Sequence, residues 1–277
     1  MKIHFFKYQA TGNDFVVIDN RSGEYSFSVD QIRRMCDRKF GIGADGLMMI
    51  EGHPSAHFSL QYYNSDGSQS LCGNGSRAAV KMAASLGLLN GKARFEAYDG
   101  LHDAEIRPDG VVQLRMNDVR EVKQIGEDYF INTGSPHFVR FVADVKNYPV
   151  FENGREIRHR KEFSPDGANV NFVEIGADNS IFVRTYERGV ENETLSCGTG
   201  VTAAAIAASF HHLNSPVSVR TPGGELQVRY KTRHSDLAAG QTGLSAGALP
   251  SPWQAGIFED IYLIGPAKLV FEGDLEL

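Results

Sequence analysis

The chain is expected to fold as an α+β protein of two pseudo-symmetric domains produced by internal duplication, with a ligand site in the cleft between them. Three observations predict this. First, 277 residues suffice for one large or two medium domains, each with its own core. Second, "LCGNGSRAAVKMAASLGL", beginning at Leu71, returns as "SCGTGVTAAAIAASFHHL", beginning at Ser196. Third, the surroundings of the two copies come in one order: a strand-like run ending in Tyr and a polar residue, the cysteine, a small-residue helix, a strand, a glycine turn and another strand.

Placing Cys72 on Cys197, an offset of 125 residues, aligns Gly73 with Gly198, Gly75 with Gly200, Ala78 with Ala203, Ala79 with Ala204, Ala83 with Ala208 and Leu88 with Leu213. The strand runs "FSLQYYN" and "IFVRTYE" lie upstream, and "ARFEAYDGLHDAEI" and "VSVRTPGGELQVRY" lie downstream. Earlier, "GNDFVVID" (Gly12–Asp19) resembles "NVNFVEIG" (Asn169–Gly176) and is expected to be the corresponding strand. The period is too long for a solenoid and indicates domain duplication. Domains are expected over 1–117 and 118–277, with the boundary near "MNDVREV" and a final strand near 266–277 that packs back on the first domain.

Between these landmarks, Ile32, Met35 and Cys36 recur at helical spacing and place Cys36 in a core as a small hydrophobe. "GREIRHRKEF" (Gly154–Phe163) reads as a solvated basic face or loop. Residues 235–256, rich in Gly, Ala, Ser and Pro, read as a long surface insertion; they hold the only tryptophan, Trp253, to which no role attaches.

Composition narrows the function. With 28 Lys and Arg against 34 Asp and Glu the net charge is −6, which argues against a nucleic-acid or anionic-membrane binder and favours a small polar substrate. The start "MKIHFFKYQATGNDF" lacks a signal peptide's apolar core, and no window approaches the roughly 18 apolar residues of a membrane span. Three cysteines, Cys36, Cys72 and Cys197, form no disulfide framework and suggest a reducing, cytoplasmic setting. Metal-ligand spacing is absent, and "HH" at 211–212 would point its rings to different sides of a helix.

The repeated cysteines carry the chemistry. A helix start presents unpaired N–H groups and partial positive charge, which bind a carboxylate and favour a nearby thiolate. Glycines at 73, 75, 198 and 200 let a ligand approach those amides. One such loop could be a tight turn over a buried cysteine. Two copies facing across a cleft would set a thiol on each side of one anionic ligand, the arrangement that stereoinversion at a carbon needs: one sulfur removes a proton and the other delivers one to the opposite face. No lysine has a pyridoxal-phosphate context and no phosphate fingerprint occurs, so a cofactor-free reaction is expected.

The ordered motifs "TGNDF", "GIGADG", "YNSDGSQSLCGNGSR", "YERG" and "SCGTG", spanning residues 11–200, resemble the diaminopimelate epimerase family. The resemblance implies a pyridoxal-independent isomerase that interconverts LL- and meso-2,6-diaminopimelate for lysine and peptidoglycan synthesis, often as a homodimer. It makes Cys72 and Cys197 the acid–base pair and the backbone of Gly73, Asn74, Gly198 and Thr199 the cradle for the reacting carboxylate. It assigns Asn13 and Glu187 to the reacting amino group, Asn64, Asn169 and Arg188 to the distal end, and His137 and Glu187 to tuning the thiols. Arg188 suits its part because a planar guanidinium grips a carboxylate with two bonds. The residues themselves add that Asn64 and Glu187 hold matching places before their cysteines. Ser135, where many members carry asparagine, and Gly46, where some carry glutamine, remove distal hydrogen-bonding groups or leave their work to water, and the Glu187–Cys197 segment is a residue longer than in some relatives. The same fold acting on proline or hydroxyproline, a thiol redox protein cycling Cys72 and Cys197, and a noncatalytic amino-acid-binding duplicate are the alternatives.

Overall fold

The computed structural model describes residues 2–70, 72–234, 253–254 and 256–276. The chain divides into two compact units, one of residues 1–115 with 264–277 and one of residues 116–263. Both are α+β, and they repeat one topology.

In the first unit, β1 (Lys2–Ala10) and β2 (Asn13–Asp19) form an antiparallel hairpin, with Ala10 opposite Asn13. The two loop residues, Thr11 and Gly12, both have positive φ, 49° and 83°, the geometry that matches the twist of a tight hairpin. The turn thus delivers Asn13 at the first position of β2. Helix α1 (Val29–Cys36) starts at Ser28, whose hydroxyl accepts from Gln31 N–H while the Gln31 side chain accepts from Ser28 N–H, a reciprocal cap. Its buried residues are Ile32, Met35 and Cys36, as their spacing predicts. The chain returns as β3 (Gly46–Glu51), parallel to β2, and turns into antiparallel β4 (Phe58–Asn64).

Helix α2 (Gly73–Ser85) then crosses to β5 (Lys92–Ala97), parallel to β4, and antiparallel β6 (Gly100–Ile106) and β7 (Val112–Arg115) follow. Beyond its Gly-Asn-Gly-Ser first turn α2 is mostly Ala, Arg, Lys and Met, which are strong helix formers, and Ala78, Ala79, Val80, Met82 and Ala83 are buried. Gly87, at φ 73°, ends it in a left-handed cap, with Leu88 N–H reaching Ala83 O. The last strand, β18 (Lys268–Glu276), pairs with β1, Lys2 opposite Glu276.

In the second unit, β8 (Val122–Ile125), β9 (Asp128–Asn132) and β10 (Pro136–Phe141) form an antiparallel run. Helix α3 (Val150–Arg158) leads to β11 (Asn169–Ile175), parallel to β10, and then to antiparallel β12 (Ser180–Glu187) and β13 (Asn192–Thr194). Helix α4 (Gly198–Ala208) crosses to β14 (Val217–Thr221), parallel to β12, and β15 (Gly224–His234) returns beside β14. All but Thr199 of α4 is buried, which explains a helix apolar all round. Its end repeats that of α2: His212, at the offset position of Gly87, adopts the left-handed conformation (φ 67°) and Leu213 N–H reaches Ala208 O. β17 (Gly256–Gly265) lies beside the Met116–Val119 segment, with Val119 and Phe258 exchanging backbone bonds.

One sequence expectation changes. "GNDFVVID" and "NVNFVEIG" are not counterparts. β2 closes a hairpin, precedes the first helix of its unit and lies parallel to the strand after that helix, which is the place of β10 in the second unit; β11 takes the place of β3. The confusion has a physical cause: β2, β3 and β11 are all short runs buried on both faces, and such runs look alike whatever their topology. The basic stretch 154–163 is a solvated face rather than a loop: its first half lies in α3, its end forms a 3₁₀ turn, Lys161–Phe163, and Arg155, His159 and Lys161 are exposed. Gly154 sits inside α3 because a Cβ there would come 2.4 Å from Tyr186 Cβ. Of the expected 235–256 insertion, residues 235–252 and 255 lie outside the described residues; Trp253 and Gln254 form a short strand, β16, paired with β8.

Candidate active site

Strand register defines equivalent places in the two units. Phe15 pairs with Gly46 and Gly46 with Asn64; His137 pairs with Asn169, and one step beyond the Val170–Tyr186 pair stand Asn169 and Glu187. Phe15 and His137, Gly46 and Asn169, and Asn64 and Glu187 are therefore positional twins, as are the two cysteines at the helix starts.

In the first unit, Cys72 caps α2: its sulfur accepts from Gly75 N–H at 3.4 Å and lies 3.4 Å from Asn13 Oδ1, toward which the thiol donates. Asn13 is fixed from behind because its Nδ2 donates to Asp45 Oδ2 at 2.7 Å, so the amide cannot turn without setting oxygen against carboxylate. Arg38 bridges Asp45 and Asp14, and buried Lys7 pairs with Asp14 at 2.8 Å and donates to Gly43 O. Burial alone would raise the Asp14 carboxyl, but bonds from Arg38 and Lys7 prevail and hold it at about 2. Asn74, 2 % exposed, reaches Asn13 Oδ1 at 3.5 Å. Asn64 donates to the Ser68 and Ser70 hydroxyls.

Arg77 is fully buried on α2. Its guanidinium bonds neutral groups, Asn74 Oδ1 at 3.0 Å, Thr11 Oγ1 at 3.3 Å and Gly73 O at 3.4 Å, and among the described residues its Nε has no partner. Burial lowers it to about 10, with the Cys72 sulfur's charge pulling the other way. It remains a cation at neutral pH, one turn into the helix that Cys72 caps. The second unit has Thr202 at that position, bonded to Gly198 O at 3.0 Å.

In the second unit, Cys197 is 8 % exposed and lies 3.5 Å from Thr199 Oγ1. That hydroxyl is 2.9 Å from His137 Nε2, and the Thr199 carbonyl accepts from Thr133 Oγ1 at 2.9 Å. His137 is wholly buried; burial, aided by the Arg188 charge, pushes it down to about 3, so the ring is neutral. Asn169, buried, spends its amide inside the protein: Nδ2 on Ser135 Oγ at 2.7 Å and Pro136 O at 3.1 Å, and Oδ1 on Arg188 N–H at 2.9 Å. It thereby fixes the backbone from which Arg188 projects, and Ser135 is its partner. Glu187 accepts from Thr194 Oγ1 at 2.8 Å, and Arg188 makes a long bond to Asp166 O.

Cys36, in α1, is 4 % exposed, and burial pushes its thiol up to about 11. Among the described residues no three His, Cys, Asp or Glu side chains converge as a metal site would require. A cavity of about 470 Å³ in the second unit, bordered by Arg120, Lys123, Phe130 and Phe163, includes neither helix start.

Sequence reasoning missed Arg77, Asn171 and Thr185. The signal was present: an arginine inside a run of buried alanines and an asparagine inside a strand buried on both faces are polar groups that only a specific partner can justify.

The duplicated α+β fold is one that solved racemases and epimerases also have. A hydroxyproline epimerase from Agrobacterium vitis superposes with a TM-score of 0.65 at 16% identity, over 99% of this chain and 92% of its own. A PhzF-family phenazine biosynthesis protein from Bacillus anthracis superposes at 0.70 and 14% identity, over all of both chains; at these identities the likeness is one of fold. Sequence is more specific. The family model for diaminopimelate epimerase matches residues 5–122 and 129–244. The diaminopimelate epimerase of Flavobacterium psychrophilum is 42% identical over 271 residues, 96% of this chain and 98% of that protein, and that of Aquifex aeolicus is 44% identical over 246 residues, 81% and 88%. The chain belongs to the diaminopimelate epimerase family and is an isomerase.

Proposed function

We propose that this enzyme interconverts LL- and meso-2,6-diaminopimelate by a cofactor-independent two-base reaction, in the cytoplasm and as a homodimer, for lysine and peptidoglycan synthesis. In this reaction Cys72 and Cys197 act on opposite faces of the reacting α carbon. As one sulfur takes the α proton, the electron pair spreads into the adjacent carboxylate. The first-turn amides at Gly73, Asn74, Gly198 and Thr199 receive that charge, and the other thiol returns a proton to the opposite face. The pair thus exchanges protonation states in each turnover. Asn13 and Glu187 meet the amino group there, Asn64 and Arg188 hold the distal amino acid end, and Asn169 serves that end by fixing the backbone of Arg188.

The observation that carries this reading is that each thiol sits at the start of its unit's central helix with a dedicated polar partner, Asn13 for Cys72 and Thr199 for Cys197. A core cysteine, such as Cys36, has none of these features. The Arg188 guanidinium, on a backbone fixed by Asn169, favours a substrate with a second carboxylate over proline or hydroxyproline. The test is incubation of LL-diaminopimelate with the protein in heavy water without added pyridoxal phosphate. Deuterium is expected to accumulate at one α carbon as the meso isomer forms; absence of exchange from both isomers overturns the reading.

A further inference from the structure

The two cysteines occupy equivalent places, but the walls behind them differ. Behind α2 stand Phe15 and Met48, with Met48 paired to Tyr62 across the sheet. The same places behind α4 hold His137, Asn171 and Thr185, all buried. A buried polar cluster in place of an apolar one is costly unless every member is satisfied.

The hydrogen-bond directions in this cluster are determined. Asn171 Nδ2 lies 3.0 Å from the Phe138 carbonyl, which can only accept, and its Oδ1 receives the Thr185 hydroxyl at 2.9 Å. Turning the amide over would set Oδ1 against that carbonyl. The second Nδ2 hydrogen therefore faces His137 Nδ1 at 3.2 Å, so Nδ1 must accept. A neutral imidazole whose Nδ1 accepts carries its proton on Nε2, and that N–H donates to Thr199 Oγ1 at 2.9 Å. With one lone pair so used, the Thr199 hydroxyl can direct its own hydrogen to the Cys197 sulfur, 3.5 Å away.

We propose that Asn171, held by Thr185 and the Phe138 carbonyl, is a positioning residue for Cys197: it fixes His137 as the Nε2–H tautomer and, through Thr199, turns a hydroxyl hydrogen toward the sulfur, stabilising its thiolate. This rests on the reading of Cys72 and Cys197 as the acid–base pair and specifies how one member is tuned. His137 acts as a fixed donor rather than as a base that collects the substrate proton. Cys72 has a different device, the Arg77 cation and the Asn74–Asn13 pair. Among the described residues, the ionisable groups near this end of α4 include His137, Arg188, whose charge bears on the imidazole, and Glu187, engaged with Thr194. Tyr129 and His211 meet each other at the other end of the helix, where Tyr230 faces Ser209.

Two measurements test this without substrate, so their outcome is independent of whether diaminopimelate is turned over. Nitrogen-15 histidine spectra of the intact protein at neutral pH are expected to show His137 protonated on Nε2 and bare on Nδ1; a proton on Nδ1 overturns the proposal. In alkylation by iodoacetamide read by peptide mass spectrometry, the pH of half-maximal modification of Cys197 is expected to rise by about one unit in Asn171→Leu and Thr199→Val. It should return to its original value in Thr199→Ser, while that of Cys72 stays in place. A Cys197 profile unmoved by both substitutions overturns it equally.

Discussion

Gly200 lies so close to Asn171 that a Cβ at that glycine would come 2.4 Å from Asn171 Oδ1, whereas a Cβ on its twin, Gly75, would meet nothing nearer than the Met48 sulfur at 3.2 Å. The difference follows from what can yield. A methionine side chain has three rotatable bonds and moves aside; the Asn171 amide is held by Thr185 and Phe138. Gly200→Ala is therefore expected to destabilise the protein by about 1–3 kcal/mol and to lower turnover, and Gly75→Ala to cost less than about 1 kcal/mol. Urea titration of both variants checks this, and equal losses would contradict the assignment of a rigid wall behind α4.

Each of Cys72→Ala and Cys197→Ala is expected to abolish epimerisation, and Cys36→Ala to leave turnover near that of the unaltered protein. Cys36 has its thiol raised to about 11 by burial, so at neutral pH it should also resist alkylation until the protein unfolds. Turnover assays with peptide mapping decide the point; substantial activity in either of the first two variants removes that cysteine from the mechanism.

Arg77 is a cation held by neutral partners inside α2. Arg77→Met is expected to slow turnover by about tenfold or more, since it removes a charge worth on the order of one pKa unit to a nearby thiolate and frees the Asn74 side chain that reaches Asn13. Because a buried charge is itself costly, stability should change little or even improve. A variant that loses stability while retaining kcat would make Arg77 structural instead.

Acid should loosen the first unit through Asp14. Its folded value of about 2 lies below the ordinary 3.8, so the ionised carboxylate contributes stability that is complete above about pH 4 and lost as pH falls toward 2. The contribution is on the order of 2 kcal/mol. Asp14→Asn should remove much of this pH dependence, measurable as thermal midpoints between pH 2 and 5. An unaltered slope would mean that other carboxylates govern acid unfolding.

Much of the fold was legible because its signals are local. The Ile32, Met35 and Cys36 spacing is helical periodicity, and the cysteine–glycine starts at Cys72 and Cys197 announce helix caps. The match of β2 with β11 went wrong for the complementary reason: a short run buried on both faces carries no mark of its neighbours, and only pairing register reveals that β10 is the counterpart of β2. Asn64 and Glu187 could be matched from sequence because both sit at a countable distance from a cysteine. Asn171 and Thr185 could not, since each acquires meaning only from the residue across the sheet.

The amino-acid sequence by itself determined the duplication, the helix starts and the two thiols, because these rest on periodicity and spacing along one chain, and its ordered motifs carried the resemblance to the family. Tertiary structure alone decided how the thiols differ. Packing brings His137, Asn171, Thr185 and Thr199 together behind Cys197 and sets Arg77, Asn74 and Asn13 beside Cys72. Hydrogen bonds and desolvation act through space, so two nearly identical motifs acquire unlike chemistry from strands far away in the chain.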